Sequence, residues 1–258
     1  MGNMGDRSAI EWTDSTWNPT TGCTRVTAGC DHCYAATLAE GKLAAGYLRH
    51  PPVVDTPLNR ADPFAVRVWE NRLDQPLRWR SPRVIFVNSM SDVFHADVPD
   101  EFARRIFEVM LKADWHTYQV LTKRPSRAAR FFRMNQDLFP GGEIPRHIWM
   151  GTSVESQEVV YRVDHLRGVP AAIRFLSCEP LLGPLKLELA GISWVIVGGE
   201  SGIGYRPMAP QWPLEIRDQC EAAGTAFFFK QWGGRTPKAK GRVLDGRTYD
   251  GLPVLATA

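Results

Sequence analysis

Short apolar runs alternate with amphipathic segments along most of the chain. The runs are apolar throughout, which is typical of strands buried on both faces of a parallel sheet. They predict strands at 84–87, 118–121, 147–150, 173–176, 194–197 and 226–229, with a first candidate strand at 10–12. The periodic segments predict helices over 101–112, 126–135, 157–166 and 213–223, and Gly224 is placed to end the last helix.

Repeated strand–helix units joined by right-handed crossovers produce a parallel sheet. About seven strands in roughly 230 residues predict an α/β fold with a partial or near-complete parallel (β/α) barrel of about six to seven strands. Two segments interrupt the alternation. Residues 48–80 carry prolines, arginines and two tryptophans, and predict an insertion within a barrel over 1–234. Residues 235–258 predict a basic, Gly-rich extension, either a solvated surface or a clamp for phosphates or substrate.

Length and charge limit the possible classes of protein. The 258 residues suit one α/β barrel, and the net charge of +3 permits a nucleic-acid partner without requiring one. No apolar run approaches the roughly 18–20 residues of a membrane span, so we expect no membrane partner. Residues 1–6 lack the pattern of a secretory signal, which predicts a cytoplasmic protein.

Every predicted strand ends in a cluster of polar or ionisable residues. In parallel α/β folds, sites form where the carboxyl ends of the strands converge. Helix N-caps explain Ser, Thr and Asp at these positions. They do not explain Lys123, Glu155, Glu179 and Glu200 together. We therefore expect a functional site at this edge, called the carboxyl edge below.

Three of the five cysteines lie close together after the first predicted strand, at Cys23, Cys30 and Cys33. In a reducing compartment, clustered thiols favour a metal or an iron–sulfur cluster over disulfides. Three thiolates can hold three irons of a [4Fe–4S] cluster and leave the fourth iron open to a small molecule. Zinc with four N or S ligands is the alternative. Its fourth ligand would be His32, which lies between two of the cysteines, or Cys178.

Several short motifs are spread along the chain. Each is weak evidence for a protein family by itself, but the set as a whole is specific. They are Trp-Thr at 12–13, Trp-Asn-Pro at 17–19, the cysteine segment at 22–34, and the segments 86–94, 121–125, 151–155, 177–181, 198–202 and 230–233. Over about residues 9–234 they resemble the radical S-adenosylmethionine (SAM) superfamily. Within it they are most similar to a family of bacterial and phage proteins that is distantly similar to spore photoproduct lyase. The spacing here is C-x6-C-x2-C, whereas C-x3-C-x2-C is commoner in the superfamily.

This resemblance implies a set of cofactor-binding residues. Cys23, Cys30 and Cys33 would hold the cluster, and SAM would chelate its fourth iron. His32 would lie near the adenine, unless it only bonds backbone carbonyls in its loop. The amino-acid part of SAM would be contacted by Ser89 or Ser91, by Lys123 and by Ser153, because a lysine can bind a carboxylate and hydroxyls can donate or accept. Asp92 and Glu155, in the same motifs, are further candidates.

The resemblance also implies a reaction. An external one-electron donor, such as a flavodoxin or ferredoxin, reduces the cluster, SAM is cleaved to methionine and a 5′-deoxyadenosyl radical, and that radical takes hydrogen from substrate. The catalytic candidates are Cys178, Glu179 and Glu200. Cys178 would return a hydrogen atom to the product, or is simply a buried structural thiol. In the superfamily, a Gly-Gly-Glu motif usually follows the second strand and binds the amino group of SAM. The Gly-Gly-Glu motif at 198–200 follows a late strand instead, so the resemblance does not assign that role to it. Glu200 would instead face the substrate or pair with Arg206.

The substrate is the least determined part of this interpretation. Arginines interleaved with tryptophans in 48–80, together with the basic tail, favour a nucleic acid or nucleotide. The same composition fits a segment that packs its tryptophans inward. Two rival functions stay open: a zinc-stabilised, non-enzymatic nucleic-acid-binding protein, and a metal hydrolase using Asp92, Glu155 and Glu179.

Overall fold

The computed structural model describes residues 8–253, so the N-terminal segment analysed for a signal and the outer ends of both predicted domains lie outside the described residues. The strands in this part of the chain are β1 Ser15–Trp17, β2 Thr20–Thr21, β3 Arg67–Val68, β4 Val84–Val87, β5 Thr117–Thr122, β6 Ile148–Ser153, β7 Arg174–Cys178, β8 Trp194–Gly198 and β9 Ala226–Gln231. All neighbours in the seven-stranded sheet β1-β4-β5-β6-β7-β8-β9 are parallel.

The helices are α1 Tyr34–Glu40, α2 Ala44–Leu48, α3 Pro57–Ala61, α4 Glu70–Leu73, α5 Gln75–Arg78, α6 Asp100–Lys112, α7 Pro125–Met134, α8 Arg162–Arg167 and α9 Gln211–Ala223. From β4 onward each strand pairs with the next along the chain, so the sheet winds in one direction into a curled half-barrel. Within residues 8–253, no pairing of β1 with β9 closes it. The prediction of an α/β fold with a partial parallel barrel is confirmed.

The two faces of the sheet hold separate apolar clusters because side chains alternate along each strand. Residues such as Val87, Met150, Leu176 and Val197 face the helices in the larger cluster. The concave face carries the smaller cluster, an aromatic layer that fills the barrel interior: Trp12, Phe86, Trp149, Ile173, Phe175, Trp194, Ile196 and Phe228. A Cβ at Gly151 would lie 2.4 Å from the Phe175 ring. A glycine is therefore required where this layer crosses β6.

Two sequence predictions about elements are wrong. The candidate strand at 10–12 is a turn, and the first strand is Ser15–Trp17 instead. The apolar pattern at this point comes from Trp12, whose ring packs in the concave layer without being in a strand. The Trp12 ring centroid lies 4.7 Å from that of Phe86 and 6.1 Å from that of Trp194. The single helix predicted over 157–166 is a 3-10 turn, Gln157–Val159, followed by α8. By contrast, Gly224 ends α9 in the left-handed conformation as predicted, with φ of 65°.

The two segments outside the alternation pack against the barrel. In 48–80, β3 pairs with β2, while Trp69 and Trp79 are buried. Their inward packing fits the alternative interpretation of that composition. In the tail, Asp250 forms a β-bridge with Phe228, and the Phe229 amide donates to the Tyr249 carbonyl at 3.0 Å. The tail therefore covers the free edge of β9. No helix in the described chain has the length and apolarity to cross a membrane.

Candidate functional site

The segment 22–33, here called the cysteine loop, carries all three clustered thiols and lies along the carboxyl edge. It starts beside β4, where the Gly22 amide donates to the Met90 carbonyl at 2.9 Å and Gly22 bridges Ser91. Gly22 has φ of +84°, and a Cβ there would lie 2.1 Å from the Ala65 carbonyl oxygen. Only glycine fits this start of the loop.

After β5, Arg124 fixes the next part of the cysteine loop. Its Nη1 donates to Cys23 Sγ at 3.4 Å and to Asp92 Oδ2 at 3.0 Å. Its Nη2 donates to the carbonyl of Thr24 at 3.2 Å. Asp92 is buried and also accepts from the Thr122 hydroxyl and the Lys123 amide, at 2.7 and 3.1 Å. The Asp92 carboxylate is thus occupied by protein donors, which makes it a support for the loop.

After β6, Glu155 anchors the middle of the cysteine loop. Glu155 is fully buried and accepts hydrogen bonds from the Thr27 hydroxyl and, at 3.0 Å, from Arg162 Nη1. Lys123 Nζ lies 3.8 Å from the same carboxylate. Burial alone would raise the pKa of Glu155, but Lys123, Thr27 and Arg162 together outweigh burial and lower it. Glu155 is therefore an ionised anchor.

After β8, Arg206 connects a second loop to the end of the cysteine loop. Its Nη2 donates to the Ala28 carbonyl at 2.8 Å, and its Nη1 lies 3.4 Å from Asp31 Oδ2. Arg206 also forms a two-pronged ion pair with Glu200, through Nε at 2.9 Å and through Nη2 at 2.5 Å. Although burial opposes it, this pairing lowers the pKa of Glu200. Glu200 thus pairs with Arg206, one of the two arrangements expected from the sequence.

His32 lies exposed beside the same β8 loop. A Cβ added at Gly204 would be 3.3 Å from His32 Cε1, so the glycine leaves room for the ring.

A second polar group lies at the ends of β7 and β9. Lys230 Nζ is 2.8 Å from Glu179 Oε1, and the Ser177 hydroxyl donates to Glu179 Oε2 at 3.1 Å. A Cβ at Gly198 would lie 3.0 Å from Glu179 Oε1, so β8 passes close to this carboxylate. Glu179 therefore lies in a charged pair of its own, separate from the anchors of the cysteine loop.

The three candidate serines are at the ends of β4 and β6. Ser89 exchanges hydrogen bonds with the Asn18 amide at 3.1 and 3.2 Å, and Ser91 is 2.6 Å from the Thr20 hydroxyl. Both are part-exposed, whereas Ser153 is buried. Strand alternation places Ser153 on the concave side, the side of Trp149 and Gly151.

The donor set of the cysteine loop fits an iron–sulfur cluster. Cys23, Cys30 and Cys33 are free, part-exposed thiols on one short loop, and thiolates are the ligands such clusters take. Burial raises the pKa of Cys23 to about 11, with the Arg124 guanidinium opposing it. Binding of a metal at Cys23 would thus release a proton.

Cys178 lies elsewhere. Its side chain is fully buried in the helix-facing cluster together with Cys220 of α9, and burial raises its pKa well above the ordinary value. This is the setting of a structural thiol. Burial therefore favours the structural alternative for Cys178, and its role as a hydrogen donor stays a prediction.

The structure does not gather Asp92, Glu155 and Glu179 into one site, since each has its own cationic partner, Arg124, Arg162 and Lys230 respectively. Among residues 8–253, no three Cys, His, Asp or Glu side chains are grouped about a point that a single metal ion could occupy.

Comparison with known proteins identifies the family. A family model described as "Protein of unknown function (DUF5131)" matches residues 7–253. The chain belongs to this family. A search of curated proteins finds no match for this member of DUF5131.

Among solved structures, the DUF5131 chain is similar to spore photoproduct lyase complexed with dinucleoside spore photoproduct. That match has 12% identity and a TM-score of 0.47, and it covers 76% of this chain and 58% of the lyase chain. A variant of the lyase with bound AdoMet and dinucleoside spore photoproduct matches with 13% identity and a TM-score of 0.44, covering 80% of this chain and 60% of the other. The chain thus spans less than two thirds of the structures it matches.

Sequence reasoning missed the partners that hold the site together. Arg124 and Lys230 belong to the motifs above but had no predicted role, and neither Arg162 nor His95 was predicted at the site. Arg162 is 2% exposed and contacts Thr27, 135 positions away. His95 is buried and pairs with Thr24 across 71 positions. A single sequence carries no signal for such long-range pairs; only the placement of Arg124 and Lys230 after strands pointed to them.

Proposed function

We propose that this chain is a radical SAM enzyme, with a [4Fe–4S] cluster held by Cys23, Cys30 and Cys33. One observation carries the proposal: a single loop with three free thiols is bonded to the segments that follow β4, β5, β6 and β8. Cys23, Cys30 and Cys33 would hold three irons of such a cluster, which would leave its fourth iron for a small ligand. Four separate attachments suit a loop that must present its thiols in one arrangement.

The residues around the cysteine loop then bind SAM. Lys123, at the end of β5, supplies a positive charge for the SAM carboxylate, although it also faces Glu155 at 3.8 Å. Ser89, Ser91 and Ser153 supply hydroxyls for its amino-acid part. His32, exposed beside Gly204, is placed for contact with the adenine. Asp92 and Glu155 act indirectly in this scheme, because both are engaged by protein donors.

A bound and reduced cluster would supply the single electron for reductive cleavage of the carbon–sulfur bond of SAM. The chain itself positions SAM. The electron comes from an external donor, such as a flavodoxin or ferredoxin in the cytoplasm. The part-exposed cysteine loop, whose Val26 is 43% exposed, suits approach of that donor.

For the substrate we propose a nucleic acid or nucleotide. The support is the basic tail, which leaves β9 at the carboxyl edge: the Gly234 amide donates to the Glu200 carbonyl at 2.9 Å, and Lys240 Nζ lies 5.2 Å from the Tyr205 ring. Exposed Arg235 and Lys240 thus lie near the β8 loop. Glu179 and Glu200, the catalytic carboxylates expected from the sequence, would face this substrate. Binding of a labelled oligonucleotide should weaken steeply as salt rises, and no binding at low salt would reject a nucleic-acid substrate.

The central test is formation of 5′-deoxyadenosine. Anaerobically reconstituted protein, reduced with dithionite and given SAM, is expected to produce 5′-deoxyadenosine. Replacing any one of Cys23, Cys30 and Cys33 by alanine should abolish it. Cys220→Ala removes a thiol that is buried in α9 and is the matched control, so it should retain cleavage. A loaded wild-type protein that forms no 5′-deoxyadenosine, or cysteine-loop variants as active as the control, would contradict the proposal.

A further inference from the structure

Among the described residues, Cys23 differs from the other two loop cysteines in its surroundings. Its Sγ accepts a hydrogen bond from Arg124 Nη1, at 3.4 Å. The Arg124 side chain is 15% exposed and that of its partner Asp92 is 7% exposed. A guanidinium in such a partly desolvated place acts on its neighbours more strongly than one in water.

Further contacts keep Arg124 in this position. The Asp97 amide donates to His95 Nδ1 at 3.1 Å, so the other ring nitrogen of His95 carries the hydrogen. That nitrogen, Nε2, lies 2.8 Å from the Thr24 hydroxyl, which in turn accepts from Arg124 Nη2 at 3.1 Å. Asp92 holds the other side of the guanidinium at 3.0 Å. Arg124 is therefore fixed between Asp92 and Thr24, with one N–H directed at the sulfur.

We propose that Arg124 is a positioning residue that raises the reduction potential of the cluster through its contact with Cys23. The proposal rests on the proposed function, since it assigns Cys23 to the cluster. Reduction adds one electron from the external donor, and no bond forms or breaks. A cation and an N–H donor beside a ligating sulfur stabilise the extra negative charge, and hydrogen bonds to sulfur are a recognised determinant of cluster potentials.

The test is a potentiometric titration of the reconstituted cluster, followed by electron paramagnetic resonance. Arg124→Gln removes the charge, and Asp92 keeps its hydrogen bonds from Thr122 and Lys123. We expect reduction to become about tenfold less favourable, a fall of about 59 mV for one electron. Arg124→Lys keeps the charge but cannot reach the sulfur, Asp92 and Thr24 together, so a smaller fall is expected. Arg130→Gln is the matched control, because Arg130 is exposed on α7, the helix that begins directly after Arg124, and it should match wild type.

The outcomes separate this inference from the proposed function. A wild-type potential in Arg124→Gln, or an equal fall in Arg130→Gln, would overturn the role of Arg124 while leaving the cluster in place. If Arg124→Gln fails to hold a cluster, Arg124→Lys decides, and a wild-type potential there overturns the role as well. A wild-type protein that assembles no [4Fe–4S] cluster rejects the proposed function itself, and this inference with it.

Discussion

Glu155 shows most directly how a single residue supports the candidate site. Its carboxylate is fully buried, yet it binds Arg162, which is 2% exposed, and the Thr27 hydroxyl of the cysteine loop. A Cβ at Gly29 would lie 2.9 Å from the Glu155 side chain, so the loop also packs closely on it. Breaking a buried pair by removing one partner leaves an uncompensated charge, and the cost is large.

Glu155→Gln is therefore expected to lower the free energy of unfolding by about 3 kcal/mol, because Arg162 stays buried without its counter-charge. The measurement is urea denaturation followed by circular dichroism at pH 7. Glu158→Gln, at an exposed glutamate three positions on, is the control and should change stability by less than about 0.5 kcal/mol. Equal unfolding midpoints for the two variants would show that the buried pair does not stabilise the fold.

The pH dependence of this difference follows from the lowered pKa of Glu155. Its ordinary value is 4.5, and the folded value is lower because Lys123, Thr27 and Arg162 outweigh burial. The stabilisation is therefore fully present above pH 4.5 and is lost as the pH falls through the folded pKa. The stability gap between wild type and Glu155→Gln should narrow below pH 4.5. A gap that is constant from pH 7 to pH 3 would contradict ionisation of Glu155.

At the scale of elements, the cysteine loop depends on contacts with segments far along the chain. Arg206, in the loop after β8, reaches the Ala28 carbonyl at 2.8 Å and is held by Glu200. The Cys30 and Asp31 amides form hydrogen bonds within the cysteine loop, at 2.8 and 3.2 Å, so their exchange reports on its opening. The two loops are therefore expected to open together.

Arg206→Lys should loosen the cysteine loop, because lysine cannot bond Glu200 and the Ala28 carbonyl with the same fork. A lost charge-assisted hydrogen bond costs about 1.5–3 kcal/mol, so amide exchange at Cys30 and Asp31 should become at least about tenfold faster. Hydrogen exchange with mass spectrometry measures this. Arg217→Lys, in α9 and paired with Asp218 and Asp245, is the control. Unchanged exchange in the cysteine-loop peptides of Arg206→Lys would remove the proposed link.

The elements that could be predicted from sequence are those with an uninterrupted apolar pattern. The run at 84–87 is a strand with the same bounds in the structure, and the runs at 118–121 and 194–197 lie within β5 and β8. β1 was missed because Ser15 and Thr16 are polar, although Ser15 is buried beside β4. The short helix α8 was merged with a 3-10 turn because both share one apolar periodicity.

At the scale of the whole molecule, the half-barrel brings distant segments to one edge. The carboxyl edge was predictable because parallel strands must end together. The pairing of charges along it was not: Glu179 with Lys230 and Asp92 with Arg124 depend on side-chain placement across different strands. The division into a barrel over 1–234 and an extension over 235–258 stays a prediction.

The central claim is that three cysteines hold a [4Fe–4S] cluster with one open iron. Electron paramagnetic resonance of the dithionite-reduced, reconstituted protein, recorded with and without SAM, tests it most directly. The account predicts about four irons per chain and a spectrum that changes when SAM is added, because SAM binds the open iron. A spectrum that SAM leaves unchanged, or a colourless protein holding one zinc ion per chain, would contradict it.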